Sequence, residues 1–402
     1  MSNNEFTVRN LTLGLQHLIA MCGATILVPL ITGLSVPVAL FAAGVGTLIF
    51  HFVTGGKVPV FLGSSFAFIG VVLTIGGKYG LEYATGGIAV AGLVYLVFAL
   101  LVKIIGLERI RQLFPPVVTG SMIMVIGLTL APVVVNANII GADGLMAHKW
   151  IIALGVAATM VIVSVFTKGF FKMTPILFGF LVGYGLALFF DMVDTSIVTN
   201  ANWIESPAFM LPAFNLESIL LICSVTIVTF MEHIGDITVS SAVVGKDFLK
   251  EPGLHKTLVG DGLATAFAGL IGGPANTTYS ENTGVLSLTK NYNPFTLRVA
   301  AIFAIILSFV GKLGTLLQTI PAPVIGGASI ILFGLITAIG LRTIKDGEVD
   351  MTQNRNLIII SIMLVLGISG VELPLTSTIA LSGLSLSAIA GILLNQLLPS
   401  NG

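Results

Sequence analysis

Long apolar runs, separated by short polar connections, follow one another along this chain from about residue 11 onward. A helix needs about 20 apolar residues to cross the hydrocarbon core of a bilayer. On that basis the pattern predicts fourteen membrane-spanning segments, of which the third and the tenth are short and interrupted. They lie near residues 11–33, 36–54, 58–75, 84–106, 115–134, 148–167, 172–191, 215–242, 256–271, 275–289, 295–313, 321–341, 355–370 and 375–397.

Composition leads to the same class of protein. Charged residues make up 9% of the 402 residues, against roughly 25% in soluble domains, and the mean hydropathy is +1.05. We therefore expect an all-α polytopic membrane protein in contact with the lipid bilayer. The formal net charge of +0 argues against a nucleic-acid partner. Nucleotide-binding, zinc-binding and nucleophile motifs are not found in the sequence, so we expect no enzyme, no cofactor and no metal.

The tenth segment has the most unusual sequence, GGPANTTYSENTGVLSLTK from Gly272 to Lys290. Non-helical backbone at membrane depth is tolerated only inside protein or along a cavity. We predict an extended piece followed by a short helix, with Ser280 as its N-cap and its N-terminus directed at a bound polar solute. Glu281 is costly at such a position and is therefore a candidate functional residue.

The two halves of the chain repeat one another. Matched positions are Gln16-His17 with Glu232-His233, Gly44 and Gly46 with Gly260 and Gly262, and Pro116, Gly120 and Gly127 with Pro323, Gly327 and Gly334. Because each half has an odd number of spans, the second half enters the membrane upside down, as in secondary transporters. The partner of the tenth segment is then residues 57–68, with a serine cap at Ser64 or Ser65 and a half-helix that begins at Phe66.

Basic residues provide a test of this topology. With the N-terminus inside, only Lys78, Lys149 and Lys312 of the 18 lysines and arginines fall outside, which is the asymmetry of the positive-inside rule. We therefore expect both termini in the cytoplasm. The longest outer connection, residues 191–214, is interpreted as a loop with solvated acidic residues.

At these residues the chain resembles the nucleobase–ascorbate transporter family (nucleobase:cation symporters), and within it the bacterial uracil permeases. The family signature is an acidic residue, Gln or Pro, then Asn-x-Gly-x4-Thr and Lys, Arg or Gly. Here it reads Glu281-Asn282-Thr283-Gly284 and Thr289-Lys290, and the stretches Gln16-His17, Gly63 to Phe68 and Glu232 to Gly235 are also similar. The resemblance extends over essentially the whole chain.

The resemblance implies two domains, each built from both halves of the chain. A core domain would hold spans 1–4 and 8–11, in residues 1–114 and 215–319. A gate domain would hold spans 5–7 and 12–14, in residues 115–192 and 320–402, and residues 193–214 would form an outer loop. The resemblance also implies proton-coupled uptake through the cytoplasmic membrane of a bacterium, and a homodimer.

Carried onto this chain, the resemblance implies substrate contacts from Glu232, Glu281, Phe66 and the backbone around Tyr279 and Ser280. A uracil-like ring presents imide N–H donors between carbonyl acceptors, and ionised carboxylates accept strong charge-assisted hydrogen bonds from such donors. Phe66 would stack on the face of the ring. Asn282 would either reach the substrate or hold the opposing broken segment.

Proton coupling is expected at Glu232. Asp236 lies one helical turn later on the same face, so we expect the two carboxylates to share a proton. Some uracil carriers of the family have a histidine where Asp236 stands. Gln16, His17 and His233 are expected to form a polar network that supports the site.

The gate wall is the least defined part of the predicted site. Ser329 and Phe333 in the twelfth span are its candidates, with core packing as the alternative reading. Some uracil carriers have a tyrosine where Phe333 stands, so one hydroxyl is absent here. Asn276, Thr277 and Thr278 would either line the cavity or satisfy the broken backbone next to them.

Two other functions stay open at the level of sequence. The same kind of carrier could take a purine, xanthine or urate, although the acidic Glu281 favours uracil. An anion exchanger or channel on the same architecture is the third possibility, since a fold does not determine a function. Two glutamates in the site argue against an anion.

Overall fold

The computed structural model describes residues 7–140, 146–169, 171–374 and 380–399. The start of the predicted fourteenth span, 375–379, and most of the polar N-terminal segment lie outside the described residues. The helices are α1 Val8–Thr32, α2 Val36–Val53, α3 Ile69–Lys78, α4 Leu81–Ile105, α5 Leu107–Leu113, α6 Pro116–Val135, α7 Ala147–Phe166, α8 Pro175–Phe189, α9 Ser196–Asn200, α10 Leu216–Val244, α11 Leu254–Leu270, α12 Ser280–Thr289, α13 Pro294–Ser308, α14 Gly311–Gln318, α15 Ala322–Asp346, α16 Asn354–Ile368 and α17 Gly383–Leu397. The strands are β1 Leu62–Ser64, β2 Asn276–Thr278, β3 Leu373–Pro374 and β4 Ala380–Leu381.

Local sequence explains where several helices begin. The hydroxyl of Ser35 accepts a hydrogen bond from the Val38 N–H at the start of α2, and the side chain of Asn293 caps α13. Proline stands in the first turn of α6 and of α8, at Pro116 and Pro175. These residues satisfy or remove the free N–H groups of a first turn, so they divide the apolar sequence into separate helices.

Seven helices of the described chain are long and apolar enough to cross a membrane, namely α1, α2, α4, α6 with its extension to Ile140, α7, α10 and α15. Shorter apolar helices include α8, α13, α16 and α17. The predicted eleventh segment, 295–313, is divided by a turn into α13 and α14. The turn is stabilised from outside, because the Gly311 N–H donates to the Trp203 carbonyl at 3.1 Å.

The third and tenth segments each contain a short strand, and the two strands pair antiparallel. Leu62 faces Thr278, Gly63 faces Thr277 and Ser64 faces Asn276. The ladder continues at both ends, where the Ser65 N–H donates to Ala275 O at 2.8 Å and the Tyr279 N–H donates to Phe61 O at 3.0 Å. Every residue of both strands is buried. The sequence predicted the two extended pieces and did not predict that they pair.

Neighbouring helices complete the hydrogen bonding of the buried strands. Thr47 on α2 accepts from the Leu62 N–H at 2.9 Å, and Thr265 on α11 donates to Asn276 O at 3.0 Å. The Asn276 amide also donates to Ala42 O at 3.2 Å. Buried backbone groups need such partners, so these polar side chains inside apolar helices make the broken segments possible.

The helices form two packed groups. In the first, α4 packs closely on α11, and α2 packs on α13 and α11, with α1, α10 and α12 beside the strands. In the second, α6 packs on α15, α16 and α17, and α7 packs on α8 and α15. Helix α10 contacts α6 and α17 of the second group, so the side chains of α10 lie at the junction between the groups.

Candidate functional site

Each short strand leads into the N-terminus of a helix. Strand β1 is followed by a 3-10 turn at Phe66–Phe68 and then α3, and strand β2 is followed by α12. The first N–H groups of a helix have no partner within the helix and carry the positive end of its dipole. The paired strands therefore deliver two sets of free donors into the protein interior.

The predicted acidic residues lie together beside these helix starts. Glu232 and Asp236 project from α10, and Glu281 is in the first turn of α12; all are half-buried. Glu232 interacts electrostatically with Asp236, Glu281 and Asp261. Within the described part of the chain, none of these carboxylates pairs with a lysine or arginine, and Oε2 of Glu232 is buried without a hydrogen-bond partner. The described part of the site is thus acidic, with no lysine or arginine to compensate its carboxylates.

Asp236 is fixed by the broken segment. Thr278 donates its hydroxyl to Oδ2 at 2.7 Å, and Ser280 donates its hydroxyl to Oδ1 at 2.7 Å. The prediction of Ser280 as N-cap is wrong, because Ser280 is the first residue of α12. Tyr279 occupies the N-cap position, and its side chain makes no capping hydrogen bond. The Ser280 hydroxyl instead donates a charge-assisted hydrogen bond to the Asp236 carboxylate.

Tyr279 holds the two broken segments together. Its hydroxyl donates to Ser64 O at 2.9 Å and accepts from the Thr25 hydroxyl at 3.3 Å. Its backbone N–H is used by Phe61 O. Strand pairing thus occupies the backbone donor of Tyr279, so the predicted ligand contact of the backbone around Tyr279 and Ser280 must use other groups. In the first turn of α12, the Glu281 carboxylate accepts from its own N–H, which leaves the N–H groups of Ser280 and Asn282 as the candidate donors.

The serines of the first broken segment behave differently from one another. Ser65 occupies the N-cap position of the 3-10 turn, but its hydroxyl makes no capping bond and is buried without a partner. Ser64 donates to Thr25 O at 3.1 Å. The expectation of a serine cap is therefore wrong for both residues. The backbone of Ser65 is held by strand pairing, which positions the turn without a cap.

The gate-wall candidates lie on α15. The Phe333 ring is fully buried and meets Phe66 edge to face, with ring centroids 6.1 Å apart. Ser329 is also buried, and its hydroxyl donates to Ile325 O of its own helix at 2.8 Å. Phe333 therefore reaches the predicted substrate-stacking residue, whereas Ser329 does not offer its hydroxyl proton to the site.

The residues of the predicted polar network are distributed over two places. Asn282 donates to His17 O at 3.0 Å, with His17 Nδ1 3.2 Å from the same amide nitrogen, so it ties α12 to α1. The other amide atom of Asn282, Oδ1, is buried without a partner. Gln16 is half-buried. Asn282 therefore holds α1 rather than the opposing broken segment, and its contact with a substrate stays a prediction.

His233 forms a buried cluster with Asp261 and Thr257 next to the acidic site, and the sequence did not single out the last two residues. Its Nδ1 lies 2.9 Å from Asp261 Oδ2 and its Nε2 lies 3.0 Å from the Thr257 hydroxyl. His233 and Asp261 have no exposed side-chain surface. A carboxylate inside a membrane span indicates a functional or structural role. Asp261 is such a carboxylate, and it lies between Gly260 and Gly262, the two glycines that are matched in the repeat.

Long apolar helices around a half-buried acidic site, together with the family match that follows, make this protein a multi-pass membrane transporter. The model of the Permease family matches residues 9–376. A probable uracil permease of Haemophilus influenzae is 44% identical over 401 residues, covering 99% of this chain and 96% of that protein. The uracil permease of Bacillus caldolyticus is 45% identical over 396 residues, covering 97% and 92%. The chain belongs to this permease family, the nucleobase–ascorbate transporters, and is not an enzyme.

Solved structures show the same fold at low identity. The transmembrane domain of a cyanobacterium bicarbonate transporter, BicA, aligns with a TM-score of 0.67 at 15% identity, covering 98% of both chains. SLC26A9 aligns with a TM-score of 0.73 at 13% identity, covering 99% of this chain and 66% of that one. At such identity the likeness concerns the fold alone.

Proposed function

We propose that this protein is a secondary active transporter that couples the uptake of uracil, or a close pyrimidine, to proton entry across the bacterial cytoplasmic membrane. The observation that carries the proposal is the placement of Glu232 and Glu281 beside the free helix starts of two paired, broken segments. The family and the names of the uracil permeases similar to this chain support the substrate class.

The chemistry of the site suits a flat imide. The carboxylates of Glu232 and Glu281 accept hydrogen bonds from ring N–H groups, while free N–H groups of the first turn of α12 donate to ring carbonyls. Phe66 is 6% exposed and provides an aromatic face for stacking. Because Tyr279 has no free donor, we assign the contacts with the ring carbonyls to the backbone N–H groups of Ser280 and Asn282.

The charge of the site supports coupling to a proton. Several carboxylates that repel one another, with no lysine or arginine partner in the described part of the chain, are costly when all are ionised. A bound proton removes part of that cost. We assign it to Glu232, whose Oε2 has no partner, and to Asp236, which interacts with it. Proton binding would then favour the substrate-loaded state in which the core domain moves against the gate domain.

The proposed architecture is fourteen spans in two inverted repeats, with a core domain, a gate domain, both termini in the cytoplasm and a homodimeric assembly. In each half, a threonine of the helix before the strand donates to the first strand residue, Thr47 to Leu62 O and Thr265 to Asn276 O, which supports the repeat. The two packed groups of helices support the division into core and gate. Cysteine accessibility at each end of the spans would test the topology, and crosslinking in membranes would test the dimer.

Uptake by proteoliposomes is the decisive experiment. Purified protein is reconstituted, and accumulation of labelled uracil is measured with an inward pH gradient, with no gradient, and with the gradient collapsed by a protonophore. We expect accumulation only with the gradient. Uptake that is equal under all three conditions would contradict proton coupling, and no uptake of any base would contradict the proposed function.

A competition panel separates the pyrimidine from the purine alternative. Unlabelled uracil is expected to compete with labelled uracil, and xanthine and urate are not. Stronger competition by xanthine would transfer the assignment to a purine. Chloride or bicarbonate flux that persists in a Glu232→Gln, Glu281→Gln variant would favour an anion carrier instead.

A further inference from the structure

The connection between α9 and α10, residues 201–214, is firmly attached to the first packed group of helices; we call it the strap. The Ile204 backbone bridges to Val310 at the α13–α14 turn, and the Glu205 N–H donates to Phe309 O at 3.0 Å. Further along, the Met210 N–H donates to Ile271 O at 3.2 Å. The strap therefore has a defined course over the helix ends.

The last part of the strap lies directly on α4. The Ala213 N–H donates to Glu82 O at 2.9 Å. A Cβ at Gly86 would stand 1.9 Å from the Ala213 carbonyl oxygen, so only glycine permits this approach. Three backbone donors of the strap thus point at the protein. Pro207 and Met210 pack inward, whereas other side chains of the strap face outward.

Those outward side chains are large and apolar. Trp203 is 72% exposed, Ile204 83% and Leu211 86%. Phe209 and Phe214 are also exposed. Glu205 is the single charged residue of residues 201–214. The sequence interpretation of this connection as a solvated loop accounts for its acidic residues but not for this apolar surface, which is unfavourable in water.

The helices that end at the strap also carry exposed apolar side chains. Ile302 and Ile306 are exposed on α13, the helix that ends where the strap is attached. Leu263 and Leu270 are exposed on α11, which ends next to Met210. Both helices whose ends carry the strap thus expose apolar side chains.

A cation accompanies the exposed tryptophan. Lys312 Nζ lies over the Trp203 ring, 4.9 Å from its centroid, and donates to Thr199 O at 3.4 Å. Tryptophan and lysine are enriched where hydrocarbon meets headgroups, because the ring is amphipathic and the long side chain reaches polar groups. This pair therefore indicates the depth of the headgroup layer rather than bulk water or the bilayer centre.

We propose that the strap lies in the headgroup layer of the bilayer, on the predicted outer side, with Trp203, Ile204 and Leu211 inserted among the ends of the acyl chains. The partner is lipid, and Lys312 reaches the headgroup phosphates. The strap would then anchor the first packed group at a constant depth. This inference concerns no substrate and stands apart from the proposed function.

The chain has two tryptophans, so a Trp150→Phe variant reports on Trp203 alone. It is reconstituted into bilayers in which a fraction of the lipid is brominated near the headgroup end of the acyl chain. We expect blue-shifted emission, loss of most of the emission with brominated lipid, and little quenching by aqueous acrylamide. The Trp203→Phe variant gives the corresponding signal of Trp150 on α7 as the comparison.

Two outcomes would overturn the proposal. Red-shifted emission that acrylamide quenches and brominated lipid does not would make the strap a solvated loop. Protection from both quenchers at high protein density, relieved on dilution with lipid, would make it an interface with a second copy. If Trp150→Phe does not fold, 5-fluorotryptophan in the native sequence with spin-labelled lipid gives the same answer by fluorine NMR. An Ile204→Asp, Leu211→Asp variant is expected to lose much of the lipid quenching at Trp203.

Discussion

The ring of Phe66, at the start of the first half-helix, meets the ring of Phe333 on α15 edge to face, with centroids 6.1 Å apart and planes inclined at 87°. The two residues belong to the two packed groups of helices. The contact therefore joins the broken segment to the wall on which the proposed gate domain would move.

Replacement of Phe66 tests the stacking role. A stacked aromatic pair contributes about 0.5–1.5 kcal/mol beyond the area it buries, so Phe66→Ala is expected to weaken uracil binding by about 2-fold to 13-fold. Phe66→Tyr keeps a ring and should bind uracil nearly as well as the native protein. Calorimetric titration of purified protein measures both. Phe333→Ala, which removes a fully buried core ring, should lower the melting temperature more than the affinity. Native affinity in Phe66→Ala would contradict the stacking role.

Glycine at position 63 is required by the strand crossing. A Cβ there would lie 2.3 Å from the Tyr279 ring and 2.7 Å from the Thr25 hydroxyl. Gly63→Ala is therefore expected to separate the broken segments, lower the melting temperature and abolish uptake.

The matched control for that change is Gly77→Ala on α3, where a Cβ meets nothing within 4 Å. Alanine is better than glycine in a helix by about 0.5–1 kcal/mol, so this variant should melt at the same temperature or slightly higher. Thermal unfolding in detergent and uptake assays compare the two. Equal behaviour of the variants would show that the crossing does not depend on Gly63.

Glu281→Gln tests the carboxylate as an acceptor for the imide. Hydrogen bonds to a charged group contribute about 1.5–3 kcal/mol. The glutamine side chain has no charge, and its NH₂ group is a donor that cannot bond a ring N–H. We expect uracil affinity to fall by about 10-fold to 100-fold in equilibrium binding. Glu108→Gln on the exposed face of α5 is the control. An unchanged dissociation constant for Glu281→Gln would remove this residue from the binding site.

Asp236→Asn tests proton sharing. The asparagine keeps an acceptor for Thr278 or Ser280 but cannot take part in the charge interaction with Glu232, so accumulation should depend less on the pH gradient while binding persists. Thr277→Val is the control, because the Thr277 hydroxyl is buried without a partner and its loss removes no hydrogen bond. Uptake with and without the gradient is the measurement. A native gradient dependence in Asp236→Asn would exclude Asp236 from coupling.

The buried pair of His233 and Asp261 is expected to stabilise the fold. Removal of one partner of a buried pair costs about 3–5 kcal/mol, so His233→Ala and Asp261→Ala should each lower the melting temperature strongly. Because each residue orients the other, the double variant should lose less stability than the sum of the losses in the two single variants. Asp194→Ala in an exposed connection is the control. Additive effects would mean that the pair does not act as a unit.

Much of the architecture follows from the chain pattern alone. The apolar runs determine that the protein is helical and spans a membrane, and the glycine, proline and threonine residues of the third and tenth segments determine where its backbone leaves the helix. Glu232, Glu281 and Phe66 are recognisable for a related reason, since a charged side chain or a broken helix at membrane depth requires a partner.

Only the tertiary structure decided which groups remain free for a ligand. Strand pairing occupies the N–H of Tyr279, and the Ser280 hydroxyl donates to Asp236. His233 is bonded to Asp261. These are contacts between residues far apart in sequence. The periodicity of apolar residues indicates the environment of one segment. A hydrogen bond between distant segments depends on where both lie after the helices have packed, which the sequence pattern does not give.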